Sequence, residues 1–137
     1  MCNRLAKLTN LVPRTAVVVA IMVVIALVHA FRLGTYLDGA LFTLYYSYFS
    51  DIVIPFGMYF LLCLNDITIP RLADWRVKAL LVFAASSATE ILQAFGVYAL
   101  GTTYDPLDIL MFAIGVLLAA FVDRVVFWRF LPSWATR

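Results

Sequence analysis

TAVVVAIMVVIALVHAF, residues 15–31, decides the fold. It holds no acid, lysine or arginine, and Pro13-Arg14 and Arg32 frame it. A helix rises about 1.5 Å per residue and needs about 20 apolar residues to cross a bilayer core. The run from Pro13 to Arg32 has that length. Three further runs match it, which places helices at about 13–32, 40–64, 77–100 and 106–131. Alternating strands of about 10 residues, the mark of a membrane β-barrel, are not evident.

Composition agrees. The chain is 65% hydrophobic and 13% charged, whereas a soluble domain is about half apolar and about a quarter charged. No stretch outside the four runs is long enough for a soluble domain. Residues 1–137 therefore read as one transmembrane domain, an all-α bundle of four membrane-spanning helices. The start of the chain imitates a signal peptide, with Arg4, Lys7 and Arg14 ahead of an apolar stretch and Val28-His29-Ala30 as a small-x-small site. His29 and the bulky Phe31 make that site poor for cleavage, so the first run reads as a retained helix.

Basic residues set orientation, because loops rich in Lys and Arg stay in the cytoplasm. Arg4, Lys7 and Arg14 precede the first run; Arg71, Arg76 and Lys78 lie between the second and third; Arg124, Arg129 and Arg137 close the fourth. Only Arg32 falls on the other side, so nine of the ten basic residues share one face. Both termini are expected in the cytoplasm, and the protein in the inner (cytoplasmic) membrane. Trp75, Trp128 and Trp134 fall near the cytoplasmic ends, while Tyr36, Tyr45, Tyr98 and Tyr104 suit the other interface, as an aromatic belt would. Cys2 and Cys63 both belong to the cytoplasmic side, where a disulfide is not expected.

The acids divide differently. Asp66, Asp74 and Asp123 go with the cytoplasmic face; Asp38, Asp51, Glu90, Asp105 and Asp108 lie at mid-membrane or beyond. An acidic outer half favours cations and polar donors arriving from that side. In Asp105-Pro106-Leu107-Asp108, an N-cap acid, a proline at the first helical position and an acid at N3 spell the start of the fourth helix. Capping accounts for both acids; a ligand facing one of them is the further reading. Glu90 lies about 13 residues, roughly 20 Å, into the third run. An acid at depth costs on the order of 3 kcal/mol on the lenient insertion scale, so Glu90 should face protein or water. Ser86 and Gln93 share its helix face. Interhelical glue, at under about 1 kcal/mol per pair, offsets little of that cost, which makes Glu90 a candidate ligand residue.

Asp51 stands in the second run with Ser47, Ser50 and, at i+4, Pro55. Proline cannot donate to the carbonyl four residues back, so the Asp51 backbone oxygen is freed beside its own carboxylate. That pair is either a cation or proton site, or a simple kink with Asp51 bonded to a serine or to Tyr59. His29 and Arg32 close the outer end of the first run and join the candidate ligand residues. Gly115-x-x-x-Ala119 is a small-xxx-small pattern for close helix packing, or a chance feature of an Ala-rich helix. Phosphate-cradling loops, CxxC pairs and HExxH are missing, and so is a serine or cysteine paired with the lone histidine. No catalytic residue, metal or cofactor is assigned, and no basic surface invites nucleic acid.

The order Glu90-x-x-Gln93, a short turn, Asp105-Pro-Leu-Asp108 and then Gly115 resembles the VanZ-like family of small bacterial membrane proteins, over about thirty residues. That family shows a Glu-x-x-Gln pair ending one helix, an Arg-x-x-Asp-x-x-Asp loop, and an Asn and a Gly in the next helix. Its arginine falls at Thr102 here and its asparagine at Phe112. Asp51 and Tyr59 match an Asp and a Tyr of the preceding family helix, while the Lys and His between them fall at Ile52 and Pro55. The resemblance implies a multi-pass fold and an envelope role of the kind linked to glycopeptide-antibiotic resistance. The expectation is a cell-envelope protein that binds a polar lipid headgroup or envelope precursor through Glu90, Gln93, Asp105, Asp108, Asp51, His29 and Arg32. Its expected partners are membrane lipids, and also other membrane subunits or further copies of itself. The alternatives are an accessory subunit of a larger membrane complex and an oligomeric proton or cation pathway through Asp51 and Glu90.

Overall fold

The computed structural model describes residues 11–66, 68–97 and 105–135. Arg4, Lys7, Cys2, Tyr98, Thr102, Tyr104 and Arg137, which carry parts of the reading above, lie outside the described residues. Among the described residues the fold is all-helical, and four helices are long and apolar enough to cross a membrane. They are α1 (Leu11–Ala30), α2 (Gly39–Cys63), α3 (Trp75–Ala94) and α4 (Pro106–Phe130). A short α5 (Pro132–Ala135) follows, and 3-10 turns at Leu33–Tyr36 and Pro70–Ala73 sit in the first two connections. The chain is a multi-pass membrane protein.

Local chemistry sets the helix ends. Asp74 caps α3 by accepting from the Arg76 N–H at 2.9 Å, so the helix begins two residues before Val77. Asp105 caps α4, accepting from the Leu107 N–H at 2.9 Å with Pro106 at the first helical position. α3 stops at Ala94, short of the expected Leu100. Gly96 adopts φ +78°, its N–H donates to Gln93 O at 2.9 Å, and the Val97 N–H donates to Leu92 O at 2.9 Å. That is a Schellman stop, and glycine supplies its left-handed residue without strain. α1 ends in a similar turn, but there the left-handed residue is Arg32, with φ 47° and ψ 50°. A side chain in that conformation costs about 1–2 kcal/mol, which the surrounding turn must hold.

α4 packs along α2 and α3, α2 also meets α3, and α1 lies against α2. In lipid, apolar burial does not drive helices together, so close fit must do it. Gly115 provides that fit: a Cβ there would collide with the backbone carbonyl of Ile52, so α2 and α4 meet backbone to backbone. Ala119, one turn on, is fully buried. Gly57 plays the lesser part between α1 and α2, where a Cβ would stand 3.0 Å from Ile25 and 3.1 Å from Met22. α2 runs through Pro55 as one helix. In α4 the residues Val122–Phe127 take π-helical form, and one extra residue per turn re-aims the side chains of that segment.

Arg14, near the start of α1, stacks on Trp134 of α5 with 5.5 Å from guanidinium to ring centre. The two described ends of the chain thus meet at one end of the bundle, called here the terminal end. The core thickens there around Phe60, Phe127 and Trp134, whose rings pack with centroids 5.0–6.4 Å apart. Trp134 is 1% exposed. It is a core residue, and the belt position expected for it is corrected by α5, which folds back over the bundle and buries the indole. The opposite, distal end holds the α1–α2 turn, the close of α3 and the start of α4.

Candidate functional site

Two polar constellations stand at opposite ends of the bundle. The distal one is built on the candidate acids. Glu90 is 3% exposed, and its Oε1 accepts from the Asp105 N–H at 2.7 Å. Because α3 stops at Ala94, Glu90 lies one turn from its helix end rather than deep in a longer helix. Protein therefore buries it, and its carboxylate reaches across to the positive start of α4. Asp105 uses its own carboxylate on Leu107 N–H, as capping requires. Asp51 on α2 and Asp108 on α4 complete the group, and all four carboxylates lie within electrostatic reach of one another. Among the described residues, no lysine, arginine or histidine comes within ion-pair distance of any of them.

α3 adds two buried polar atoms. Gln93 Oε1 and Ser87 Oγ have no hydrogen-bond partner among the described residues, and both residues are 8% exposed. They flank Glu90 at i+3 and i−3, hence on its face of the helix. A buried polar atom left unpaired costs about 1–3 kcal/mol, so the Gln93 carbonyl oxygen lacks a donor on the face that carries Glu90. Among the described residues no three His, Cys, Asp or Glu side chains are arranged to hold a metal ion.

His29 and Arg32, grouped with the acids by sequence, stand elsewhere. They line a pocket of about 280 Å³ between α1 and α2 with Tyr45, Tyr46, Phe49 and Ser50. His29 Nδ1 faces the Ile25 carbonyl at 2.9 Å, and Nε2 faces Ser50 Oγ at 3.1 Å. A carbonyl only accepts, so Nδ1 carries the hydrogen in that contact. Asp51 is not tied to Tyr59 either.

Tyr59 belongs to the terminal constellation, which sequence reasoning missed. Its hydroxyl donates to Asp123 Oδ2 at 2.7 Å, and Trp134 Nε1 donates to Asp123 Oδ1 at 2.6 Å. Lys78 Nζ, on a fully buried side chain, stands 3.3 Å from Asp66 and 3.5 Å from Asp123. It also lies 5.1 Å over the Tyr59 ring. Arg14 brings a second cation to the same layer and donates to Trp134 O at 3.5 Å. The π-helical segment of α4 carries Asp123, and Lys78 enters one turn after the Asp74 cap. The signal was there in part: Asp123 follows Ala119 at i+4, on the face of α4 that the small residues bury. Chemically this network is complete, because each of its carboxylates meets a donor or a cation.

Comparison of the chain with protein-family models, with curated proteins and with solved structures finds no match.

Proposed function

We propose that this protein sits in the inner (cytoplasmic) membrane with both termini in the cytoplasm, and that its distal acid cluster binds the amine-bearing headgroup of an envelope lipid or precursor. One observation carries the reading: four carboxylates from three helices lie within electrostatic reach of one another with no cation among the described residues at ion-pair distance, and Gln93 Oε1, one turn from Glu90, has no hydrogen-bond partner among those residues. An ammonium supplies both missing things, a positive charge and N–H donors. The orientation rests on the clustering of basic residues at the terminal end, where Arg14 and Lys78 lie. The VanZ-like resemblance belongs to the same proposal. What supports it is that the halves of the motif meet, Glu90 accepting from the Asp105 backbone.

Native mass spectrometry of the delipidated protein tests this with two probes, phosphatidylethanolamine and phosphatidylcholine of equal chains. The first headgroup has N–H donors and the second has none. The parent should retain phosphatidylethanolamine preferentially, and Asp51→Asn should weaken that retention about tenfold, the value of one charge-assisted bond. Equal retention of both lipids, or an Asp51→Asn protein that matches the parent, would sink the proposal. Other chains present at a fixed ratio would favour the accessory-subunit reading instead.

A further inference from the structure

An apolar groove of about 540 Å³ runs between α1 and α2, lined on the α1 side from Val17 to Val28. Its α1 residues recur at helical spacing, so they form one stripe facing α2. The stripe spans about 16 Å, half the roughly 30 Å of a hydrocarbon core, and so the depth of one leaflet. No polar side chain enters it. Its distal end meets the His29–Arg32 pocket, and Phe49 lines both.

The pocket is a built feature. Tyr45 stacks on Phe49 at 4.5 Å and 17° between planes. Tyr45 also lies against Gly34 so closely that any Cβ there would enter its ring. That fit seats the α1–α2 turn over the pocket, and the turn holds Arg32 in a left-handed conformation that glycine would adopt more easily. Arg32 has no carboxylate within ion-pair distance among the described residues.

From this adjacency of apolar groove and cationic pocket, we propose that the α1–α2 face is a binding site for an anionic phospholipid of the distal leaflet, one acyl chain lying in the groove and its phosphate against Arg32. A guanidinium suits a phosphate because it offers paired N–H donors in one plane. Tyr45 and Tyr46 line the same pocket, and a tyrosine hydroxyl is a donor that a phosphate can use. None of the four acids lines the groove or the pocket, and the site stands whether or not that cluster binds an amine.

The delipidated protein is titrated with phosphatidylglycerol and, separately, phosphatidylcholine of equal chains, and bound lipid is read by native mass spectrometry. The parent should favour phosphatidylglycerol. Arg32→Gln should lower retention of that lipid about tenfold and of phosphatidylcholine by less, because the choline cation already offsets the charge of its phosphate. Ala20→Phe, which fills the groove and spares the charge, should lower both lipids alike, by about fivefold. Circular dichroism confirms that each variant is folded. Equal retention of the two lipids by the parent overturns the proposal, as does a charge preference that survives Arg32→Gln. Full retention in Ala20→Phe overturns the placement of the chain. Asp51→Asn should leave phosphatidylglycerol retention unchanged, which separates this site from the acid cluster.

Discussion

At the terminal end, Lys78, Asp66 and Asp123 are buried together and answered by one another, by Tyr59 and by Trp134. At the distal end, Asp51, Glu90, Asp105 and Asp108 share a space with no cation among the described residues beside them. Both are polar groups inside a lipid-facing bundle, and they differ in completeness. A complete network needs nothing from outside and serves the fold. An incomplete one stores like-charge repulsion and unpartnered atoms, and folding alone gives it no return. The terminal end is the clamp, and the distal end is where a ligand has something to supply.

Removing Lys78 tests the clamp most severely. Lys78→Met keeps the length of the side chain and removes the ammonium that Asp66 and Asp123 share. Breaking a buried pair from one side costs about 3–5 kcal/mol. The expected outcome is a large drop in melting temperature in detergent, read by circular dichroism. A Lys78→Met protein as stable as the parent would remove the distinction drawn here. Tyr59→Phe is the gentler cut. It deletes only the hydroxyl that donates to Asp123 Oδ2, and a bond to a charged group is worth about 1.5–3 kcal/mol. Its melting temperature should fall between those of the parent and Lys78→Met. A fall equal to that of Lys78→Met would mean that Tyr59 organises the whole network rather than donating one bond.

The two ends also differ in how far they can be read from sequence. Glu90, Gln93, Asp105 and Asp108 lie within a short stretch, and their roles follow from local rules: an N-cap, a proline at the first turn, residues sharing a helix face. The four spans were legible because length and apolarity decide them. The stop at Gly96 was legible by the same capping rules, but the apolar residues after it masked it. The terminal network was legible only at Asp123, on the buried face of α4. It pairs Tyr59 with Asp123, Asp66 with Lys78 and Arg14 with Trp134, partners that only the packing order brings together. Read singly, each looks like a charge or ring at a membrane boundary. Nor does a sequence show which face of α2 each neighbour takes, which is why His29 and Arg32 were grouped with the acids and stand instead against Ser50 and Tyr45.

The smallest expected effect is the most diagnostic. Asp108 sits at the third position of α4, where the helix dipole favours an acid by about 0.3–1 kcal/mol. The same carboxylate lies within reach of Asp51, Glu90 and Asp105, whose negative charges oppose it. The two influences have opposite sign. Asp108→Asn should therefore shift stability by less than about 1 kcal/mol in either direction. Thermal melting beside Lys78→Met makes the comparison direct. If the distal acids were a clamp like the terminal one, neutralising Asp108 would unfold the start of α4 and destabilise the bundle as strongly as losing Lys78. A near-silent Asp108→Asn means that the fold does not depend on the charge at the distal end, and leaves ligand binding as what that charge can serve.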